Sequence, residues 1–292
     1  DPRVVAVDAD LSKSTFAHLF AKEFPQRFFS CGIAEANLVG VAAGLASSGK
    51  IPFAASFASF VVNKGFEQMR VLAAYPNVNV KIVGTHCGIS IGEDGPSQMA
   101  VEDIGLACSL PGFVVLSPAD EVSMKALVHA AAAHEGPVYI RAGRPKAPLV
   151  YAPGAALRIG EAVQLVDGSD VTLMATGLMV AEAIRAAREL AASGISARVV
   201  DFHTIKPLDH ETIRRCAAET GAIVVAEEHL ADGGLGVRVA QAVTRLAPCP
   251  MEFVGMQDTF AESAAPEELL RKYGLTFREV AEAATRAVGR KA

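Results

Sequence analysis

The chain has 292 residues, 51% of them hydrophobic, with no Trp, 25 Gly and a formal net charge of −5 at pH 7. That length suits two domains rather than one core, and an Ala-, Val- and Gly-rich composition suits an α/β protein rather than a disordered one. The negative balance offers no basic stripe for a nucleic acid, and no apolar stretch reaches the roughly 18 residues of a membrane span.

Short β-branched runs alternate with longer segments of helical period, the pattern of a parallel sheet with crossover helices. "VVAVDAD" reads as the first strand, and Ser12 or Ser14 is placed to cap a helix carrying Phe16, Leu19 and Phe20 on one face. "RFFSCG" leads into a helix over 35–47, and "IPFAASF" into one through Phe66, Met69 and Leu72. "VKIVGTHC" enters the loop "SIGEDGPSQMAVED", after which "FVVLSP", a helix over 120–134 and "VYIRAG" complete the unit.

Residues 143–158 carry three prolines and two glycines without either periodicity and read as a connection. The expected domains are therefore 1–148 and 149–292, each a mainly parallel sheet flanked by helices. In the second, strands "DVTLMATG", "SARVVDF", "AIVVAEE" and "MEFVG" alternate with helices over 180–193, 209–220 and 234–247, and two further helices close the chain. Five cysteines without CxxC spacing show no metal or disulfide pattern and fit a reducing cytoplasm.

Ligands of parallel α/β sheets collect at the carboxyl ends of strands. The residues expected there are Asp10 and Ser14, Glu35, Phe57 and Phe60, His86 with the acidic loop, and Arg144. On the residues alone, Glu35 is a first-turn glutamate complementing its helix dipole, with desolvation by Ile33, Ala34 and Leu38 the second reading. Phe57 and Phe60 read first as core and second as a platform for a flat heterocycle. His86 reads as a strand-end histidine, and Arg144 as a surface arginine or a phosphate contact. Glu93 and Asp94 are too few and wrongly spaced for a calcium cage, so no metal is assigned to this chain. Asp94 with Gln98 suits hydrogen bonding to hydroxyl groups. In the second domain, Glu227, Glu228 and His229 read as solvated side chains of a turn.

These strings together resemble the carboxyl-terminal portion of transketolase, a thiamin-diphosphate enzyme. The resemblance runs from about Asp8 to the end through "KSTF", "GIAEAN", "FAASFASF", "THCGISIGEDGPSQMAVED", "AGRP" and "DFHTIKPLD". It implies a pyrimidine-binding domain followed by the family's C-terminal domain. Glu35 matches the glutamate that hydrogen-bonds the aminopyrimidine N1′ and favours its imino tautomer, whose nitrogen removes the thiazolium C2 proton. Phe57 and Phe60 match the aromatic wall against the ring, and Asp10 an acidic residue beside the cofactor. Ser14 and Arg144 match residues that hold the sugar phosphate, and His86, Asp94 and Gln98 match contacts to donor and acceptor hydroxyls. Gln98 follows a subset of the family, where others have His, and Asn63 stands where some members place a further stacking tyrosine.

Full-length members carry an amino-terminal domain that binds diphosphate and Mg2+ or Ca2+ through a GDG motif, and this chain contains no such domain. The resemblance therefore implies one subunit of a split transketolase, completed by a diphosphate-binding subunit in an α2β2 assembly; a fragment of a longer protein is the alternative, with the same chemical consequence. The implied reaction moves a two-carbon ketol unit between sugar phosphates. A deoxyxylulose-phosphate-synthase-like enzyme and a 2-oxo acid dehydrogenase β subunit are the alternatives within the thiamin superfamily, and a noncatalytic regulatory homologue is the alternative outside it.

Overall fold

The computed structural model describes residues 1–291. The first sheet is built from β1 (Val4–Asp8), β2 (Phe28–Ser30), β3 (Ile51–Phe57), β4 (Lys81–Thr85), β5 (Val114–Leu116) and β6 (Val138–Arg141). Its helices are α1 (Ala17–Glu23), α2 (Glu35–Ser47), α3 (Ala58–Gln68), α4 (Asp103–Ser109) and α5 (Glu121–Ala133). The second sheet comprises β7 (Val163–Val166), β8 (Val171–Ala175), β9 (Ala197–Asp201), β11 (Ile223–Leu230) and β12 (Met251–Met256). Around it stand α6 (Met179–Ala192), α7 (His210–Thr220), α8 (Leu235–Leu246), α9 (Pro266–Lys272) and α10 (Phe277–Gly289).

The second sheet runs in the order β12-β11-β8-β9-β7 and is parallel except for β7, which pairs antiparallel with β9. The first sheet holds seven strands, because β10 (Thr204–Lys206) crosses from the second domain to pair antiparallel with β5. Neither β7 nor β10 is anticipated by the strand pattern, and α4 is a further unanticipated element. Apolar packing follows the same crossing: Ile89, Ile91 and Leu116 share one buried cluster with Val254, Met256 and Leu269.

Two local expectations fail at α1. Neither Ser12 nor Ser14 caps it; the helix starts after Phe16, whose left-handed backbone (φ 62°) replaces a side-chain cap. Its apolar face is not core either, since Phe16 is 67% and Leu19 58% exposed. In α5 the capping box is complete: the Asp120 carboxylate accepts from the Ser123 amide at 2.8 Å while Ser123 Oγ meets the Asp120 amide at 2.9 Å. The other Asp120 oxygen accepts the Val150 and Tyr151 amides, and the Tyr151 hydroxyl donates to Asp201 at 2.6 Å, so the connection between the sheets is pinned on both sides.

Candidate active site

The register of the first sheet creates the site. Strands β1, β2, β3, β4 and β6 are mutually parallel, so their carboxyl ends form one edge. Phe57 stands level with Thr85 and Gly84 level with Arg141, which brings the segments after β3, β4 and β6 side by side.

A continuous row of side chains runs along this edge. The rings of Phe57 and His86 stack with centroids 3.9 Å apart, and Phe57 and Phe60 stack at 5.5 Å. Lys64 Nζ lies 4.5 Å above the Phe60 ring and 3.5 Å from Glu35 Oε2. Phe60 and Lys64 are one helical turn apart on α3, which is why both face the same groove. Glu35 is 4% exposed, although not for the reason its neighbours suggest, since Ile33 is 78% exposed. The carboxylate is buried by the approach of α3 to α2. Gly65 permits that approach: a Cβ there would lie 3.0 Å from Val39 Cγ2 and 3.5 Å from the Glu35 carbonyl.

His86 adopts φ 58°, a left-handed conformation that a non-glycine residue seldom takes and that concentrates at functional positions. Its Nδ1 meets Thr85 Oγ1 at 3.0 Å. Burial, with the Arg144 charge adding to it and Asp94 opposing, lowers the His86 pKa to about 4, so the ring is neutral at pH 7. Arg144 donates to the Ile91 carbonyl and lies 3.4 Å from Glu93. The Gln98 carbonyl accepts from Ser59 Oγ at 2.9 Å, tying the acidic loop to α3. Glu35, Phe57, Phe60 and His86 are thus brought into one row, with Asp94 and Arg144 close enough to act on His86. Asp10 and Ser14 are exposed at the end of β1, and no hydrogen bond or ion pair joins either to that row among the described residues.

Asn63, at the position of a possible third aromatic, donates to Glu102 at 2.7 Å. No group of three or more His, Cys, Asp or Glu side chains arranged to hold a metal ion occurs among the described residues.

Sequence reasoning missed a second set. Glu227, Glu228 and His229, read as solvated, are 2%, 3% and 1% exposed. They lie in β11 rather than a turn, with Glu227 under the start of α8 and Glu228 and His229 against segments of the first domain, which a local reading could not anticipate. Glu227 accepts the Leu235 and Gly236 amides at 2.7 and 2.8 Å and thereby caps α8. Glu228 and His229 reach into the first domain, where Glu228 Oε1 accepts the Ser90 amide at 2.6 Å and His229 Nε2 meets the Gly105 amide at 3.3 Å. Beside them Arg141 and Asp103 form a buried ion pair at 2.8 Å, with the Tyr139 hydroxyl also donating to Asp103.

With this geometry, comparison with known proteins is decisive at the level of family. Residues 1–149 match the model of the transketolase pyrimidine-binding domain, and residues 160–280 match that of the transketolase C-terminal domain. The chain belongs to the transketolase family, and that membership implies dependence on thiamin diphosphate.

Among individual proteins, it is 42% identical to the 6-deoxy-6-sulfo-D-fructose transketolase subunit SqwH of Clostridium sp. (strain MSTE9), covering 100% of this chain and 90% of that one. It is 39% identical to mouse transketolase over 94% of its own length but only 44% of the mouse protein. A solved structure described as a split gene transketolase, inactive beta4 tetramer, superposes with a TM-score of 0.94 at 48% identity, covering 100% of this chain and 94% of that one.

The residues present fit the pyrimidine end of thiamin diphosphate. Phe60 supplies a half-buried aromatic face backed by Phe57, which is 6% exposed and stacks on both Phe60 and His86, and Glu35 supplies a buried carboxylate whose partner Lys64 is itself half exposed.

Proposed function

We propose that this chain is the C-terminal subunit of a thiamin-diphosphate-dependent transketolase that transfers a two-carbon ketol unit between ketose and aldose phosphates. A separate N-terminal subunit holds the diphosphate and its Mg2+ or Ca2+, in an α2β2 assembly. The observation that carries the reading is the row from Glu35 through Lys64, Phe60 and Phe57 to His86, standing beside the GEDGPSQ loop.

Bound thiamin diphosphate supplies the nucleophile that accepts the ketol unit. The protein residues do the rest. Glu35 would hydrogen-bond the aminopyrimidine N1′, and its burial keeps water from competing for that bond. Phe57 and Phe60 present flat faces to the ring, and Asp10 stands at the cofactor's edge. His86, a neutral imidazole, exchanges a hydrogen bond with substrate hydroxyls at no charge cost, while Asp94 and Gln98 read the remaining hydroxyls. Ser14 and Arg144 take the terminal anion of the sugar, the Arg144 guanidinium suiting a bidentate contact.

Two findings support the requirement for a partner. Apolar side chains close to the site stand in the open, with Ile33 78% and Phe16 67% exposed. The similar β4 tetramer is described as inactive. The test is to co-express this chain with the diphosphate-binding subunit of the same organism and assay ketol transfer with thiamin diphosphate and magnesium. Transfer by the pair and none by either chain alone is expected; transfer by this chain alone would contradict the split site. Similarity to a sulfofructose transketolase subunit makes a 6-deoxy-6-sulfo ketose the informative second donor.

A further inference from the structure

The function of the second domain is written at its contact with the loop that follows β4. Glu228 Oε1 accepts the Ser90 amide at 2.6 Å, the Leu230 amide donates to the Val101 carbonyl at 2.8 Å, and Arg141 donates to the Glu228 carbonyl at 2.8 Å. These bonds fasten the loop close to both of its ends. Its middle is held as well, because Ser263 Oγ donates to the Glu93 carbonyl and the Pro266 ring packs over Gly92.

The glycines of the loop fit this contact atom by atom. Gly88 (φ 72°) has no room for a side chain, since a Cβ would lie 2.2 Å from Glu228 Cδ. At Gly92 (φ 83°) a Cβ would lie 2.9 Å from Pro266 Cγ. Both positions require glycine twice over, for backbone conformation and for closeness to the second domain. The first domain ties the loop through the Gly88 amide to the Ala100 carbonyl at 2.7 Å, Ser59 Oγ to the Gln98 carbonyl and Arg144 to the Ile91 carbonyl. The second domain adds the contacts at Gly88, Ser90, Gly92 and Glu93, which the first domain leaves unmade.

We propose that the second domain is the template that fixes the 86–98 loop in its sugar-reading shape, with Glu228 as the positioning residue. That the fixed shape reads sugars rests on the transketolase reading; the fastening itself does not. Asp94 and Gln98 lie on the held segment, and His86 leads into it, so loosening Glu228 disturbs them, while Glu35, Phe60 and Lys64 stand on α2 and α3 outside the segment.

The test is amide hydrogen exchange across the full-length chain in Glu228→Ala, Glu228→Gln and Ser263→Ala. Glu228→Ala is expected to speed exchange over 88–98 about tenfold or more, through loss of the buried bond to the Ser90 amide. Gln retains an acceptor oxygen, so Glu228→Gln is expected to stay within about threefold of the parent. Exchange in β1 and β3 should be unchanged in both. Should Glu228→Ala fail to fold, Ser263→Ala carries the test through faster exchange confined to 92–95. Loop exchange unchanged in Glu228→Ala and Ser263→Ala, or acceleration equal in β1 and β3, would overturn the template.

With the diphosphate-binding subunit, Glu228→Ala should raise KM for the ketose phosphate about tenfold with a smaller change in kcat, and Glu228→Gln should restore it. A loosened loop with unchanged KM would remove the positioning role. A parent complex without ketol transfer would contradict the transketolase reading alone, because exchange reports the fastening independently.

Discussion

The imidazole of His86 lies flat on the phenyl ring of Phe57, with centroids 3.9 Å apart and planes inclined by 23°. This stack joins the Phe57–Phe60 pair to the segment after β4, and it buries an imidazole beside a guanidinium. Both effects disfavour the imidazolium.

The first prediction concerns that ring. With its pKa lowered to about 4, His86 stays neutral from pH 8 down to about pH 5. An unfolded histidine takes up its proton near pH 6.5 and the folded one near 4, so the contribution to stability is present above 6.5 and is lost as pH falls toward 4. NMR of the His86 ring carbons across pH 4–8 checks this; a midpoint at or above 6.5 would contradict the burial described.

A second prediction addresses the ion pair between Arg141 and Asp103, 3% and 1% exposed. Asp103→Ala leaves a buried guanidinium without its carboxylate, and removal of one member of such a pair costs about 3–5 kcal/mol. Urea denaturation should show that loss as a lower midpoint. A change below about 1 kcal/mol would show that water or another acceptor replaces Asp103.

The third is Gly88→Ala. The new methyl has to displace the Glu228 carboxylate while holding a left-handed backbone, so a loss of about 2–4 kcal/mol is expected. Gly49→Ala is the control: it too has positive φ (84°), but open space surrounds its Cβ position, so only the conformational cost should appear.

Much of this was legible in the sequence where the interactions are local. The alternation of strands and helices announces itself because buried parallel strands and amphipathic helices each impose a period. The helix beginning at Glu35 and the pairing of Phe57 with Phe60 both follow from short spacings. What could not be read depends on distant partners. Three residues of β10 carry no strand signal of their own and gain their conformation from β5, about ninety residues earlier. Glu228 stands in a charged stretch that reads as solvated, and it is buried against partners distant in sequence, Arg141 and the loop at Gly88 and Ser90, the last 138 residues away. Phe16 and Leu19 failed in the opposite sense, since an apolar helix face shows that something covers it without showing that the same chain does so. Lys64 was within reach of sequence reasoning, standing four residues after Phe60.

The proposed role of Glu35 is to hydrogen-bond the aminopyrimidine N1′. The measurement that tests it most directly is the rate of C2 proton–deuterium exchange of thiamin diphosphate bound to the complex of this chain with its diphosphate-binding subunit, comparing the parent with Glu35→Gln. Loss of accelerated exchange with assembly and cofactor binding intact is the expected result; exchange at the parent rate in Glu35→Gln would contradict the role assigned to this carboxyl.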